Sequence, residues 1–330
     1  MSRCVSKLAQ DMGLLPEWVT EVVNNAPNNY KLLKIPKNST RAGKKEFRTI
    51  YQPAVESKMI QRWLLHACFS KLPVSSISTA FDRGSSILKN AQVHRTSKYS
   101  VRVDLKDFFP SIKSSDLRRV LVQNNDKLPD WAGDESTAEL IEKTCFLPSG
   151  ALPIGFPSSP RIANVVMFEL DQMLVARVKS SIETFGIAAL SRYADDYVFS
   201  TDRKGACTRF IEELTQLLRE SRSPKLSVNT SKTRLMTRES GSTLITGLRV
   251  KPTGEIGVHA RYKDEIRLLL HLFSSGRLKN EDLPTLRGHL SFVRHSDPGL
   301  YTRLARKFTK EIAALQTGRE GASEDMKLAA

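Results

Sequence analysis

The sequence predicts an α+β protein of two or three subdomains that handles a polyanion. Its 330 residues exceed what one compact core usually supports. Strand-like alternation concentrates between about residues 99 and 250, with helical periodicity before it and again after residue 261. Lys and Arg number 51 against 35 Asp and Glu, a net charge of +16, and an excess of this size suits nucleic acid. The charge is also unevenly placed. Residues 1–100 carry 16 basic and 6 acidic side chains, residues 101–200 carry 11 and 14, and the remainder carry 24 and 15. Basic walls around an acidic centre would grip phosphates while the centre holds divalent cations; uneven surface charge is the plainer alternative.

Composition excludes several classes. With 40% hydrophobic and 26% charged residues, the chain is not disordered, collagen-like or a coiled coil. No stretch approaches the ~20 apolar residues of a membrane span, and the N-terminus lacks a signal peptide's apolar run. The four cysteines stand at least 62 positions apart, against a zinc knuckle or disulfide framework and in keeping with a reducing cytoplasm.

The elements follow in order. A short helix is expected at Pro16–Val23, ended by the Asn/Pro run at 24–29. Residues 44–53 (KKEFRTIYQP) read as a basic strand, and Glu56–Phe69 as an amphipathic helix. Val101, Val103 and Leu105 alternate with Arg102 and Asp104 on a buried strand, Tyr99–Leu105. Ser114 and Ser115 can cap a helix to about Val122. Ser159 is the expected cap of a long helix with Pro160 at its first position and an apolar stripe from Ile162, Val165 and Val166 through Leu170, Met173 and Leu174. Tyr193–Ser200 reads as a hairpin around Ala194-Asp195-Asp196. A helix at about Ala206–Arg219, short strands to Val250 and helices beyond Arg261, one opened by Asp297-Pro298, complete the chain. The tail after Gly318 is polar.

Adjacent acids at a turn repel unless water or a cation neutralises them. Asp195 and Asp196 meet that condition, and Asp104 on its apolar strand also needs a partner. Carboxylates on neighbouring strands are hard oxygen ligands suited to Mg²⁺, and two such ions can clamp an in-line displacement at phosphorus. The alternative for an Asp-Asp pair is a solvated turn. Asp107 and Asp171 have simpler expected roles as solvated or capping residues.

Beyond these arguments, the motifs resemble reverse transcriptases. Tyr193-Ala194-Asp195-Asp196 resembles the YxDD box, residues 103–111 (VDLKDFFPS) the first palm motif, and residues 152–160 (LPIGFPSSP) the LPQG-x-x-SP motif. Residues 227–233 (SVNTSKT) resemble the later lysine motif and Ile245-Thr246-Gly247-Leu248 the primer-grip hairpin, all in family order. Residues 90–94 (NAQVH), Ile245-Thr246-Gly247, RTIYQP and RGHLSFV resemble elements of the retron-type enzymes.

That resemblance implies a right-hand polymerase: an N-terminal and fingers region at 1–98, a palm at 99–250 with a fingers insertion around 123–150, and a helical thumb with a short tail at 251–330. It implies that Asp104, Asp195 and Asp196 bind two Mg²⁺ ions, and that Lys232 approaches the nucleotide phosphates. Lys45 and Arg48 would hold the triphosphate, Phe109 would lie under the incoming sugar, and Ile154 and Gly155 would border the nucleotide, with Ile154 replacing the usual Gln. Asn90, His94, Arg261, Arg287, Arg303 and Arg306 are the expected RNA contacts. The implied partners are deoxynucleoside triphosphates, a cognate structured non-coding RNA and its DNA product, with a separate effector protein in anti-phage defence. The alternatives are a defence-associated reverse transcriptase with different priming, or a catalytically silent RNA-binding scaffold.

Overall fold

The computed structural model describes residues 2–36, 46–239 and 241–317. Helices α1 (Arg3–Met12) and α2 (Pro16–Asn25) precede a ribbon of β1 (Tyr30–Pro36) and β2 (Phe47–Pro53), then α3 (Val55–Ala67) and α4 (Ile87–Val93). Next come β3 (Tyr99–Asp104), the short α5 (Phe108–Ser111), α6 (Ser114–Gln123), α7 (Glu135–Cys145), α8 (Ser159–Val166), α9 (Phe168–Ser180) and α10 (Ile182–Phe185). The hairpin β4 (Ala188–Tyr193) and β5 (Asp196–Thr201) leads to α11 (Ala206–Glu220) and β6 (Arg234–Thr237). Strands β7 (Thr243–Ile245), β8 (Leu248–Val250) and β9 (Ile256–Gly257) form a small sheet. Helices α12 (Ala260–Ser274), α13 (Leu283–Ser296), α14 (Pro298–Lys307) and α15 (Thr309–Thr317) follow.

The central sheet has the order β4-β5-β3-β6, every neighbour antiparallel. Helix α11 covers it because Ala206, Cys207, Phe210, Leu214, Leu217 and Leu218 recur on one face. Phe210 stacks on Phe199 of β5 at 4.5 Å. One hydrophobic core gathers buried residues from Cys4 to Leu226 around this sheet. A second runs from Ile245 to Leu315 and takes in Ala91 of α4 and Val198 of β5. Helix α4 is therefore a joint between the β4–β5 hairpin and the C-terminal helices. The four cysteines are free and buried.

Several expectations change. The helix after residue 158 begins at Ser159, with no side-chain cap, and breaks at Met167 into α8 and α9. Met173, expected on the apolar stripe, is exposed. Helix α1 was not expected, although Cys4, Val5, Leu8 and Ala9 form its buried face. Asp297 does cap α14, accepting from the Leu300 amide at 3.0 Å.

Candidate active site

Strand register places the first carboxylates. Asp104, last residue of β3, pairs with Asp196, first residue of β5. The hairpin turn needs only Ala194 and Asp195, and Ala194 adopts a left-handed φ of 57°. Backbone bonds fix the surroundings: the Leu105 amide donates to the Asp195 carbonyl at 2.9 Å, and the Asn229 amide to the Asp104 carbonyl at 2.8 Å. The second bond carries Lys232 to the site, where its Nζ lies 3.1 Å from Asp104 Oδ2.

Burial raises the pKa of Asp195 and moves Asp196 up to about 6, with neighbouring carboxylates adding to the effect and Arg102 opposing it at Asp196. Arg102 Nε stands 3.8 Å from Asp196 Oδ1. This counter-charge was missed in the sequence because its alternation with Val101 and Val103 reads as a solvated position. Among the described residues no three His, Cys, Asp or Glu side chains form a ready metal cluster; Asp104 faces Lys232 and Asp196 faces Arg102 instead. The donor set nonetheless fits a hard cation. Asp104 Oδ1 and Asp196 Oδ1 are buried without hydrogen-bond partners, Arg102 standing beyond hydrogen-bond distance of the second, and both suit a hard cation.

The other expected nucleotide residues are partly gathered here. Arg48 on β2 is exposed, yet near enough to Asp195 to oppose slightly the rise in its pKa. The Tyr51 amide donates to the Ile154 carbonyl at 2.8 Å, tying the ribbon to the 152–160 loop. Gly155 follows with φ 109°, and a Cβ there would meet the Tyr51 carbonyl oxygen at 2.5 Å, so only glycine fits. The Ile154 side chain is half-buried. Phe109 is half-buried with its ring 5.3 Å from buried Phe108. Lys45 lies outside the described residues.

Behind the turn is a buried ion pair. Arg192 and Asp171 are both fully buried, 2.8 Å apart, and Tyr197 donates its hydroxyl proton to Asp171 at 2.6 Å. Asp171 is therefore neither solvated nor a cap. Arg192 also donates to the Ala194 carbonyl at 3.1 Å, bracing the turn that carries Asp195.

Asn90 and His94 are corrected. Both are completely buried and cannot touch RNA directly. Asn90 Oδ1 accepts from Ser191 at 2.5 Å and Thr79 at 3.0 Å, while its amide nitrogen reaches Thr246 at 3.4 Å. His94 bridges Ser191 of β4 and Ser200 of β5, each at 2.7 Å. The segment thus ties the β4–β5 hairpin to the Thr246-Gly247 turn. Burial holds the His94 pKa down to about 3, against an ordinary value near 6.5. Its stabilisation is complete above pH 6.5 and is lost as pH falls towards 3. Melting at pH 7 and pH 4.5 should show a smaller acid-induced drop in His94→Gln than in wild type.

The expected RNA arginines are exposed: Arg261 on α12, Arg287 on α13, and Arg303 and Arg306 on α14. Arg287 Nε is already committed to the Leu315 carbonyl at 3.2 Å. His259 caps α12, and His289 bonds Tyr262 at 2.6 Å.

Comparison with known proteins decides the family. Residues 35–269 match the family described as reverse transcriptase (RNA-dependent DNA polymerase). The chain belongs to the reverse transcriptase family. It is 40% identical over 272 residues to the retron Ec73 reverse transcriptase of Escherichia coli, covering 82% of this chain and 85% of that protein. It is 27% identical to the retron Ec83 reverse transcriptase of the same species, over 93% of this chain and 96% of that one. The enzyme is thus a retron-type reverse transcriptase, an RNA-directed DNA polymerase. Its right-hand fold is similar to a Candida albicans telomerase solved with a fragment of telomeric RNA, with a TM-score of 0.53 and 12% identity; the match covers 92% of this chain and 59% of that one. Reverse transcriptases use divalent metal ions. Among the described residues no helix is long and apolar enough to cross a membrane.

Proposed function

We propose that this reverse transcriptase copies part of a cognate structured non-coding RNA, priming from a 2′-OH within it, to make branched RNA–DNA. The observation that carries the reading is the 40% identity to a retron enzyme across more than four-fifths of both chains. The second core, beginning at Ile245, supports a helical thumb near 251–330 beside a palm at 99–250 and an N-terminal fingers region at 1–98. A cytoplasmic setting, a separate effector protein and a role in anti-phage defence belong to the same proposal and rest on the retron resemblance.

Asp104, Asp195 and Asp196 would hold two Mg²⁺ ions, which supply charge neutralisation at the attacking hydroxyl and the leaving pyrophosphate. Lys232, paired with Asp104, would turn to the phosphates and give a proton to the leaving group. Arg48, with Lys45, holds the triphosphate. Ile154 and Gly155 border the nucleotide through the loop fixed by Tyr51. Arg261, Arg303 and Arg306, with the remaining donors of Arg287, present phosphate contacts from the C-terminal helices.

Phe109 excludes ribonucleotides by bulk in this reading. Phe109→Ala should raise ribonucleotide incorporation relative to deoxynucleotide on one template, and an unchanged ratio would return Phe109 to a packing role. The product itself is tested by sequencing the nucleic acid that co-purifies with the enzyme. Branched RNA–DNA is expected; unlinked DNA would indicate different priming, and RNA alone a silent scaffold.

A further inference from the structure

Phe81 is a residue that folding alone does not explain. Its backbone is left-handed at φ 70°, a conformation unfavourable for any residue with a Cβ. The residue is 48% exposed. Residues held in such sparsely populated conformations cluster at active sites and ligand clamps.

The segment around it is held from behind on both sides. The Thr79 amide donates to the Arg192 carbonyl at 2.8 Å, and Asn164 Nδ2 donates to the Ala80 carbonyl at 2.9 Å. Asp82 accepts from Asn164 at 2.7 Å and from Arg161 at 2.5 Å. Arg161 is itself fixed by the carbonyls of Phe69 and Leu72 at 3.1 and 2.8 Å. Asn164 Oδ1 also accepts from Arg192, whose guanidinium braces Ala194. One connected polar frame, buried at Thr79, Asn164 and Arg192 and half-buried at Asp82 and Arg161, therefore backs two left-handed residues, Ala194 in the hairpin turn and Phe81.

This frame places the ring at the site. Its centroid lies 6.2 Å from that of Phe109 and 6.4 Å from that of Tyr193, tilted to both. We propose that Phe81 is a nucleotide-contacting residue, its ring joining Phe109 and Tyr193 in the apolar surface against which the incoming nucleotide's sugar and base lie. The proposal rests on the nucleotide role assigned to Phe109. An aromatic face offers contact without hydrogen-bond readout, so the contribution is shared by all four bases.

Phe81→Gly is the informative variant, because glycine accepts φ 70° and only the ring is lost. Steady-state kinetics with each deoxynucleotide should show KM raised about tenfold for all four, in line with the loss of one aromatic contact. The maximal rate should change little and the melting temperature should not fall. Phe81→Tyr should restore the wild-type KM. A wild-type KM in Phe81→Gly would overturn the proposal, as would a loss confined to kcat or a melting temperature lowered with KM unchanged. A wild-type protein that incorporates no deoxynucleotide would instead overturn the polymerase reading beneath it.

Discussion

Asp196→Asn should abolish deoxynucleotide incorporation, by ~10³-fold or more, while RNA binding persists. Ion-assisted charge stabilisation is worth several kcal/mol, and each ~1.4 kcal/mol is a factor of ten in rate. The substitution keeps the side chain's shape on β5 and removes only charge. The same change should stabilise the ion-free protein, because Asp196 is held among Asp104 and Asp195 with an oxygen that lacks a hydrogen-bond partner. A gain of ~1 kcal/mol would raise the melting temperature by ~2–3 °C for a chain of this size. Primer extension and melting in chelator, on one preparation, read both effects. Activity lost together with stability would mean that the side chain serves the fold instead.

The second large effect belongs to the buried pair behind the turn. Asp171→Asn leaves the Arg192 guanidinium fully buried without its counter-charge. Breaking such a pair from one side costs ~3–5 kcal/mol, which chemical denaturation will measure. Replacing both partners together, Asp171→Leu with Arg192→Met, should recover much of that stability, since two apolar side chains leave no orphaned charge. It should not recover activity, because the Ala194 carbonyl then loses its donor and the turn carrying Asp195 loses its brace. A double variant with wild-type turnover would make the pair purely structural.

What was legible in the sequence was chiefly local. Val101, Val103 and Leu105 announce a strand, and the apolar spacing from Ala206 to Leu218 announces a helix, because each pattern is written within a few residues. The carboxylates were found through motifs, and strand register then set Asp104 opposite Asp196. What the sequence concealed is tertiary. Arg192 and Asp171 are 21 positions apart, and nothing near either residue shows that their charges will meet inside the core. Asn90 and His94 were expected at the RNA because their partners, Ser191, Ser200 and Thr246, lie about a hundred or more positions away. Phe81 carries no signal in the sequence, because its φ and its two ring neighbours are visible only in three dimensions. The helix after Ser158 was read as continuous because its apolar stripe crosses Met167 without a proline or glycine to mark the break.

The central claim is that Asp104, Asp195 and Asp196 together hold the divalent ions of the polymerase. Crystals of the enzyme with a primed RNA template, a non-hydrolysable deoxynucleotide and Mn²⁺ would test it through anomalous scattering. Two peaks bounded by these three carboxylates are expected, with Lys232 turned away from Asp104 towards the phosphates. Peaks held by other residues, or a bound nucleotide with no ion between Asp104 and Asp196, would contradict it.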